Sequence, residues 1–216
     1  MKLLHLIASP RGEQSRTCQI AQVLIDELAA KIPNLQITNL NLFETDLPPI
    51  GHKAASAKYS SIMGATLDSQ EKYIWDRLTQ IAMNFLSHDY IVISAPMWNF
   101  NVPYALKHYI DVIMQPGLLF NFTSNGVVGK AINKKMYCVT TRGNDYSAGT
   151  YMHQFDFLEP YIRSIFGMAG ISDISFINAQ PMDYMPTLAA EKLEQAKVQA
   201  QMLAANEITH LNEVKR

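Results

Sequence analysis

Short apolar runs alternate with longer amphipathic stretches along this chain. Residues 90–93 are apolar and rich in β-branched side chains, which is typical of a short buried strand. Residues 69–86 instead place Ile74, Leu78 and Phe85 at helical spacing, with polar side chains between them. This alternation recurs and predicts five strands, at residues 3–8, 35–40, 90–93, 135–140 and 174–179.

Helices are predicted between successive strands. They cover a segment from about Cys18 to Ile32, residues 69–86, a segment with Pro103 in its first turn, residues 154–168, and a closing segment capped by Thr187. Residues 43–64 predict a connection with a short helix, and residues 120–122 and 126–128 predict a small hairpin. Because crossovers between parallel strands are right-handed, this order predicts an α/β fold with a doubly wound, five-stranded parallel sheet. A length of 216 residues suits one sizeable core, so we expect a single domain over residues 1–216.

Composition narrows the class of protein. With 48% hydrophobic residues, 17% charged residues and a net charge of −1, the chain has no block of like charges that would favour nucleic acid or a membrane surface. No apolar run reaches transmembrane length, and the opening residues lack a full signal sequence. Cys18 and Cys138 lie in apolar patterns without a C-x-x-C motif, which favours free thiols in the cytoplasm; a disulfide requires that the fold bring them together.

Motifs for several other site classes are missing from the sequence. The six histidines show no H-x-x-x-H or H-E-x-x-H spacing, so we expect no metal site. There is no G-x-S-x-G nucleophile motif, no P-loop and no G-x-G-x-x-G dinucleotide fingerprint.

Residues 9–17 follow the first strand and open a helix. The backbone N–H groups of such a helix start can face a ligand, and Ser9, Ser15 and Thr17 add hydroxyl donors while Arg16 adds a positive charge. These groups suit a terminal monophosphate. The alternative is ordinary capping of the helix by Ser15, with Arg11 in solvent.

Residues 96–101, P-M-W-N-F-N, follow the third strand, where a surface turn would normally be small and polar. Met97 and Phe100 can lie against a planar ring, and Asn99 can bond the polar edge of that ring. The alternative is that Trp98 and Phe100 only cover the edge of the sheet.

Residues 141–144 follow the fourth strand. Thr141 and Asn144 offer donors, and Gly143 permits close backbone approach or a positive φ, although a generic turn is equally compatible with the pattern. The carboxyl ends of parallel strands meet at one edge of a sheet, where such folds bind ligands. Three donor-rich turns at that edge therefore predict a ligand site.

The same motifs resemble a known family. The P-M-W-N-F-N turn, the T-R-G of residues 141–143, the serine loop and the F-G-M-A-G-I of residues 166–171 are similar to the FMN-dependent NADH-azoreductases, bacterial quinone and azo reductases with a flavodoxin-like fold. The resemblance runs along nearly the whole chain and implies strand order 2-1-3-4-5. Trp98 stands where many members have Tyr, and Asn144 where many have Gly.

The resemblance implies where FMN lies. Its phosphate would contact Ser9, Ser15, Arg16 and Thr17. Its isoalloxazine ring would lie on the turn formed by Pro96, Met97, Trp98, Asn99 and Phe100, and its pyrimidine side would face Thr141, Arg142, Gly143 and Asn144. The flavin itself would carry the chemistry, so no side chain is assigned a catalytic role.

The resemblance also implies a reaction and an assembly. NADH or NADPH would pass a hydride to flavin N5 and leave, and a quinone or azo substrate would then take its place in ping-pong order. Phe122 and Met168 are candidate walls of that substrate pocket. Members are homodimers, and residues 166–171 fit either a dimer interface or the end of a core helix.

Two other classes share this fold. A flavodoxin is an electron carrier with no NAD(P)H activity of its own, but it usually has a strongly acidic surface, unlike a chain of net charge −1. A reductase that uses free flavin or metal ions as acceptor is the other alternative.

Overall fold

Five parallel strands form the central sheet of the protein, which a computed structural model describes over residues 1–214. The strands in chain order are β1 Lys2–Ile7, β2 Gln36–Asn41, β3 Tyr90–Pro96, β4 Phe120–Thr123, β5 Gly126–Gly129, β6 Lys135–Thr141 and β7 Asp173–Ala179. The sheet has the order β2-β1-β3-β6-β7, and β4 and β5 form a separate antiparallel hairpin. Counted without the hairpin, the sheet strands have the predicted order 2-1-3-4-5.

Helices cover both faces of the sheet. They are α1 Arg16–Lys31, α2 His52–Met63, α3 Ser69–Leu86, α4 Tyr104–Ile113, α5 Leu158–Met168 and α6 Pro186–Val214. On one face, α1 and α6 pack over one half of the core, and on the other face α3, α4 and α5 pack over the second half. This is the doubly wound arrangement that the alternation of elements predicted.

The central strand β3 shows why its sequence is a continuous apolar run. Ile91 and Ile93 belong to the core on the α3–α5 side, whereas Tyr90 and Val92 belong to the core on the α1–α6 side. Successive side chains of a strand point to opposite faces, so a strand covered on both faces is apolar at most positions. The buried polar residue of β3, Ser94, is paired with the ring of His5. The edge strand β2 is mostly exposed.

Two predicted helix starts are wrong. Residues 154–157 precede α5 rather than belong to it, because the carboxylate of Asp156 accepts hydrogen bonds from the N–H groups of Leu158 and Glu159, both at 3.1 Å, and starts the helix there. The closing helix begins at Pro186, so Thr187 lies in its first turn and does not cap it. Proline suits a first helical position because its φ is already helical and its missing N–H is not needed there.

The two cysteines are free, as expected. Cys138 is buried in the core, where desolvation raises the pKa of its thiol. Within residues 1–214, no helix is both long enough and apolar enough to cross a membrane.

The segment at residues 166–171 lies mainly in the core. Phe166, Ala169 and Ile171 are buried there, and Met168 is exposed. The structure therefore favours the core-helix interpretation for most of this segment.

Candidate functional site

A cleft of about 230 Å³ opens at the carboxyl ends of the parallel strands. All three predicted turns contribute to its walls, which confirms that the topology brings them together. The segment that follows β7 adds a fourth wall. The lining residues are Ser9, Pro10, Arg11, Ser15, Arg16, Thr17, Pro96, Met97, Trp98, Thr141, Arg142, Gly143, Met182 and Asp183.

The first loop places the N-terminus of α1 at this cleft. Ser15 caps the helix, because its Oγ accepts a hydrogen bond from the N–H of Cys18 at 3.3 Å. The same hydroxyl lies 3.2 Å from Oγ1 of Thr17, and Ser9, Ser15 and Thr17 are all almost fully buried. Since the first N–H groups of a helix have no acceptor within it, capping by Ser15 is compatible with anion binding at the same place.

Arg16 joins the first loop to the segment after β7. Its guanidinium Nη1 donates a hydrogen bond to the carbonyl oxygen of Met182 at 3.1 Å. The arginine is half-buried at the cleft wall, with Arg11 exposed beside it. Both arginines thus line the cleft that the N-terminus of α1 also lines.

The turn after β3 is a tight reversal with both central residues in the left-handed region. Asn99 has φ 46° and Phe100 has φ 71°. Two backbone hydrogen bonds close the turn, from the N–H of Trp98 to the oxygen of Asn101 at 2.9 Å and in reverse at 3.0 Å. This is the geometry of a type I′ turn, which normally takes Asn or Gly at these positions. A phenylalanine at positive φ is strained, and such strain is often found at functional sites.

The turn displays its aromatic side chains instead of burying them. Trp98 is 38% exposed and Phe100 is 40% exposed. Trp98 lies near the rings of Phe43 and Tyr104, with centroid distances of 6.0 and 6.5 Å. If these rings only covered the edge of the sheet, as in the alternative prediction, they would not need to be this exposed.

The turn after β6 is tied to the other two. The Oγ1 of Thr141 lies 3.4 Å from that of Thr17, and its carbonyl oxygen accepts a hydrogen bond from the N–H of Met97 at 2.9 Å. Gly143 permits a close approach, as predicted. The group that approaches it is the side chain of Asp183, because a Cβ on Gly143 would lie 2.4 Å from Oδ2 of Asp183. Asn144 is half-buried, and the described lining of the cleft does not include it.

Arg142 contributes to the cleft from within this turn, but its side chain is engaged elsewhere. The residue is 2% exposed, and its Nη1 donates a hydrogen bond to Oδ2 of Asp156 at 2.6 Å. Its Nε donates to Oγ1 of Thr140 at 3.1 Å, and its Nη2 lies 3.7 Å from Oε2 of Glu159. The guanidinium is therefore held by the start of α5.

Met182 and Asp183 are lining residues that the sequence analysis missed. The N–H of Met182 donates to the carbonyl oxygen of Arg142 at 2.9 Å, and that of Asp183 donates to Gly143 at 3.2 Å. The available signal was their position directly after the last strand, at the same edge of the sheet as the other turns.

The two predicted walls of a substrate pocket lie apart from the described cleft lining. Phe122 is 68% exposed on the hairpin, in edge-to-face contact with the ring of Phe120 at 5.4 Å, and Met168 is 37% exposed at the end of α5. No group of three or more metal-ligating side chains occurs among the described residues.

The chemistry of the cleft fits a phosphorylated planar heterocycle. One end offers buried hydroxyls, the N-terminus of α1 and guanidinium charge, which together suit a phosphate dianion. The other end offers the exposed ring of Trp98 and the side chain of Met97, which suit a flat ring. Asn99 and Phe100 follow in the same turn and are exposed, but the described lining of the cleft does not include them. FMN has both parts. The fold thus defines a flavodoxin-like protein, and the cleft is its candidate ligand site.

Comparison with known proteins agrees with this class. Residues 1–203 match the model of a family described by its flavodoxin-like fold. An FMN-dependent NADH:quinone oxidoreductase from Ruegeria pomeroyi is 38% identical over 181 residues, covering 83% of this chain and 89% of that protein. A protein of the same name from Azospirillum brasilense is 34% identical over 94% of this chain and 98% of its own length.

A solved structure gives the same fold. The FMN-dependent NADH-azoreductase from Bacillus anthracis, solved in complex with FMN, superposes with a TM-score of 0.87 at 24% identity, over 96% of this chain and 100% of that chain. The chain belongs to the family with a flavodoxin-like fold, and within it to the FMN-dependent NADH:quinone oxidoreductases. The resemblance inferred from the sequence motifs is confirmed.

Proposed function

We propose that the cleft binds FMN and that the protein uses it to reduce quinones and azo compounds with NADH or NADPH. One observation carries the proposal: the hydroxyl-rich N-terminus of α1 and the exposed aromatic turn after β3 line the same cleft. The relatives named above are FMN-dependent and act on NADH and quinones by name, and they cover nearly the whole chain.

The residues of the cleft divide the binding of FMN between them. Ser9, Ser15 and Thr17 donate hydroxyl hydrogen bonds to the phosphate, and Arg16 balances its charge. The turn of Pro96, Met97, Trp98, Asn99 and Phe100 supports the isoalloxazine ring. Thr141, Gly143 and Asn144 face the pyrimidine side, with Arg142 present through its backbone.

FMN held by these residues would supply two-electron chemistry, by which a hydride equivalent from NADH or NADPH reaches a quinone or azo acceptor in ping-pong order. The protein's part is to hold a face of the ring open. Because Trp98 and Phe100 stay partly exposed, a second flat molecule can approach beside them and stack at van der Waals distance.

We further propose that the chain acts as one domain and works as a homodimer in the cytoplasm. Two free cysteines suit a reducing compartment. The exposed rings of Phe122 and Phe157 and the side chain of Met168 are apolar surface that a second copy would cover. In such a dimer Phe122 and Met168 act as walls of the substrate pocket.

Two measurements on the purified protein test the proposal. The visible spectrum after incubation with FMN and gel filtration is expected to show retained flavin. NADH oxidation is then expected to proceed with a quinone and no second protein. Retained flavin without NADH oxidation would identify an electron carrier instead, and a colourless protein would remove flavin from the cleft.

A further inference from the structure

Arg142, the buried arginine of the turn after β6, is linked to the turn after β3 through a short segment, residues 155–157. The side chain of Arg142 extends away from the cleft and forms an ion pair with Asp156, whose own side chain is only 8% exposed. Burying a charged pair costs desolvation that its attraction repays only with good geometry, so a pair of this kind often serves a positional role.

Both chain neighbours of Asp156 hold Phe100. The ring of Phe155 stacks on the ring of Phe100, with a centroid distance of 5.4 Å and an interplanar angle of 29°. The N–H of Phe157 donates a hydrogen bond to the carbonyl oxygen of Phe100 at 3.1 Å. Asp156 lies between these two contacts and points the other way, towards Arg142.

Phe100 needs such support. At φ 71° its backbone is in a region that bulky residues rarely adopt, and a conformation of this kind persists only when its surroundings hold it. The type I′ turn supplies two hydrogen bonds between Trp98 and Asn101, while residues 155–157 supply the stack and the bond to Phe100 itself.

We propose that the Arg142–Asp156 ion pair is a positioning device that fixes residues 155–157 and, through them, the strained Phe100 on which the isoalloxazine lies. The inference rests on the proposed FMN site. It gives the side chain of Arg142 an indirect role in flavin binding, because the guanidinium contacts Thr140, Asp156 and Glu159 and acts on the ring only through residues 155–157. A pair that only anchored the start of α5 would stabilise the fold without affecting the ring.

The test is Asp156→Asn, which keeps the shape of the side chain and removes its charge. FMN and riboflavin affinities are measured by quenching of flavin fluorescence. We expect both to weaken by about tenfold and by the same factor, because the displaced turn touches the ring and not the phosphate. The effect should shrink when Phe100 is already alanine, which a purely structural role for the pair does not predict.

Glu159→Gln is the matched control. It makes the same chemical change beside the same arginine, but the chain neighbours of Glu159, Leu158 and Pro160, lie inside α5. We expect flavin affinity within about twofold of the wild-type value, with stability lowered. Should Asp156→Asn not fold, Phe155→Leu removes the stack without leaving an unpaired buried charge, and its flavin affinity decides the question.

The outcomes separate this inference from the proposed function. If the wild-type protein binds no FMN, both the proposed FMN site and this inference are wrong. A wild-type protein that binds FMN, beside a folded Asp156→Asn variant of equal affinity, overturns only the inference. Additive effects of Asp156→Asn and Phe100→Ala, or unchanged affinity in Phe155→Leu when Asp156→Asn does not fold, overturn it as well.

Discussion

Asn99 and Phe100 both have a left-handed backbone conformation, which is more favourable for asparagine than for phenylalanine. Asn visits left-handed conformations readily because its short amide bonds to the local backbone, whereas Phe gains no such compensation. Asn99 therefore has two possible roles, as a tolerant turn residue and as a donor to the ring edge.

Two substitutions at Asn99 separate these roles. Asn99→Gly keeps the turn and removes the amide, so we expect FMN to bind about two- to tenfold more weakly, the equivalent of one lost hydrogen bond of ~0.5–1.5 kcal/mol. Asn99→Ala should lose more, since alanine keeps the β-carbon that strains a backbone at φ 46° but lacks the amide that compensates for it, a cost of about 1–2 kcal/mol relative to glycine. Fluorescence titration with FMN measures both. Wild-type affinity in Asn99→Gly would show that only the backbone of this residue matters.

Arg16 is the charge closest to the predicted phosphate position on α1. Arg16→Glu should weaken FMN binding by at least about tenfold, because it replaces an attraction to the phosphate dianion with repulsion. Riboflavin, which has no phosphate, should lose far less. Equal losses for the two flavins would mean that Arg16 acts through its bond to the oxygen of Met182 and not through its charge.

His5 lies in β1, with Nε2 2.6 Å from Oγ of Ser94 and Nδ1 3.2 Å from Oδ1 of Asn39. Burial lowers the pKa of His5 from 6.5 to about 4, and the bond to Asn39 only partly opposes this. Between about pH 4 and pH 6.5, His5 therefore binds a proton in the unfolded chain but not in the native protein. Stability should therefore fall as the pH falls through this window, by roughly 3 kcal/mol in all.

Urea unfolding at a series of pH values from 7 down to about 4 measures this dependence. Carboxylates also titrate at the acidic end, so the informative quantity is the difference between wild type and His5→Gln. That difference should shrink as the pH falls. Parallel curves for the two proteins would show that folding does not change the pKa of His5.

At the scale of elements, the sequence predicts a helix best where its apolar spacing and its capping residues agree on the boundary. Asp68 and Glu71 form a capping box, and α3 spans residues 69–86 as its apolar spacing predicts. The start of α5 could not be predicted in this way. Asp156 is its local cap, but residues 155–157 are also held by Arg142 and Phe100, which are distant in sequence.

The β4–β5 hairpin depends on one close contact. A Cβ on Gly129 would lie 2.1 Å from the carbonyl carbon of Ala169, at the end of α5. Backbone atoms cannot yield as a flexible side chain can, so Gly129→Ala should displace the hairpin and cost about 1–3 kcal/mol of unfolding free energy. Gly167→Ala is the control, because nothing lies within 4 Å of its Cβ and alanine favours the helix. Urea denaturation of both variants checks this, and equal midpoints would mean that the hairpin adapts.

At the scale of the whole molecule, topology alone placed three turns of the site together. Parallel strands end at one edge, so residues after β1, β3 and β6 had to meet there. The pattern could not show that Met182 and Asp183 return to the cleft, nor which way the side chain of Arg142 points. Both depend on contacts such as Arg16 with Met182 and Arg142 with Asp156.

The apolar surface beyond the cleft leads to a prediction about assembly. Phe122 is 68% exposed, Phe157 is 53% exposed and Tyr104 is 69% exposed, so this surface offers aromatic area that a second copy would cover. We expect sedimentation equilibrium to give a dimer. Phe122→Asp should shift it towards monomer, because an interface would bury an unpaired carboxylate.

The control for that variant is Met202→Asp on α6, which packs on the opposite face of the sheet and exposes 63% of Met202. It should remain dimeric with full activity. If the partner's hairpin closes the substrate pocket, Phe122→Asp should lose quinone turnover more than it loses FMN. This follows because the described cleft in which we propose that FMN binds is lined by residues of one chain. A wild-type monomer with undiminished quinone turnover would contradict both the dimer and the role of Phe122.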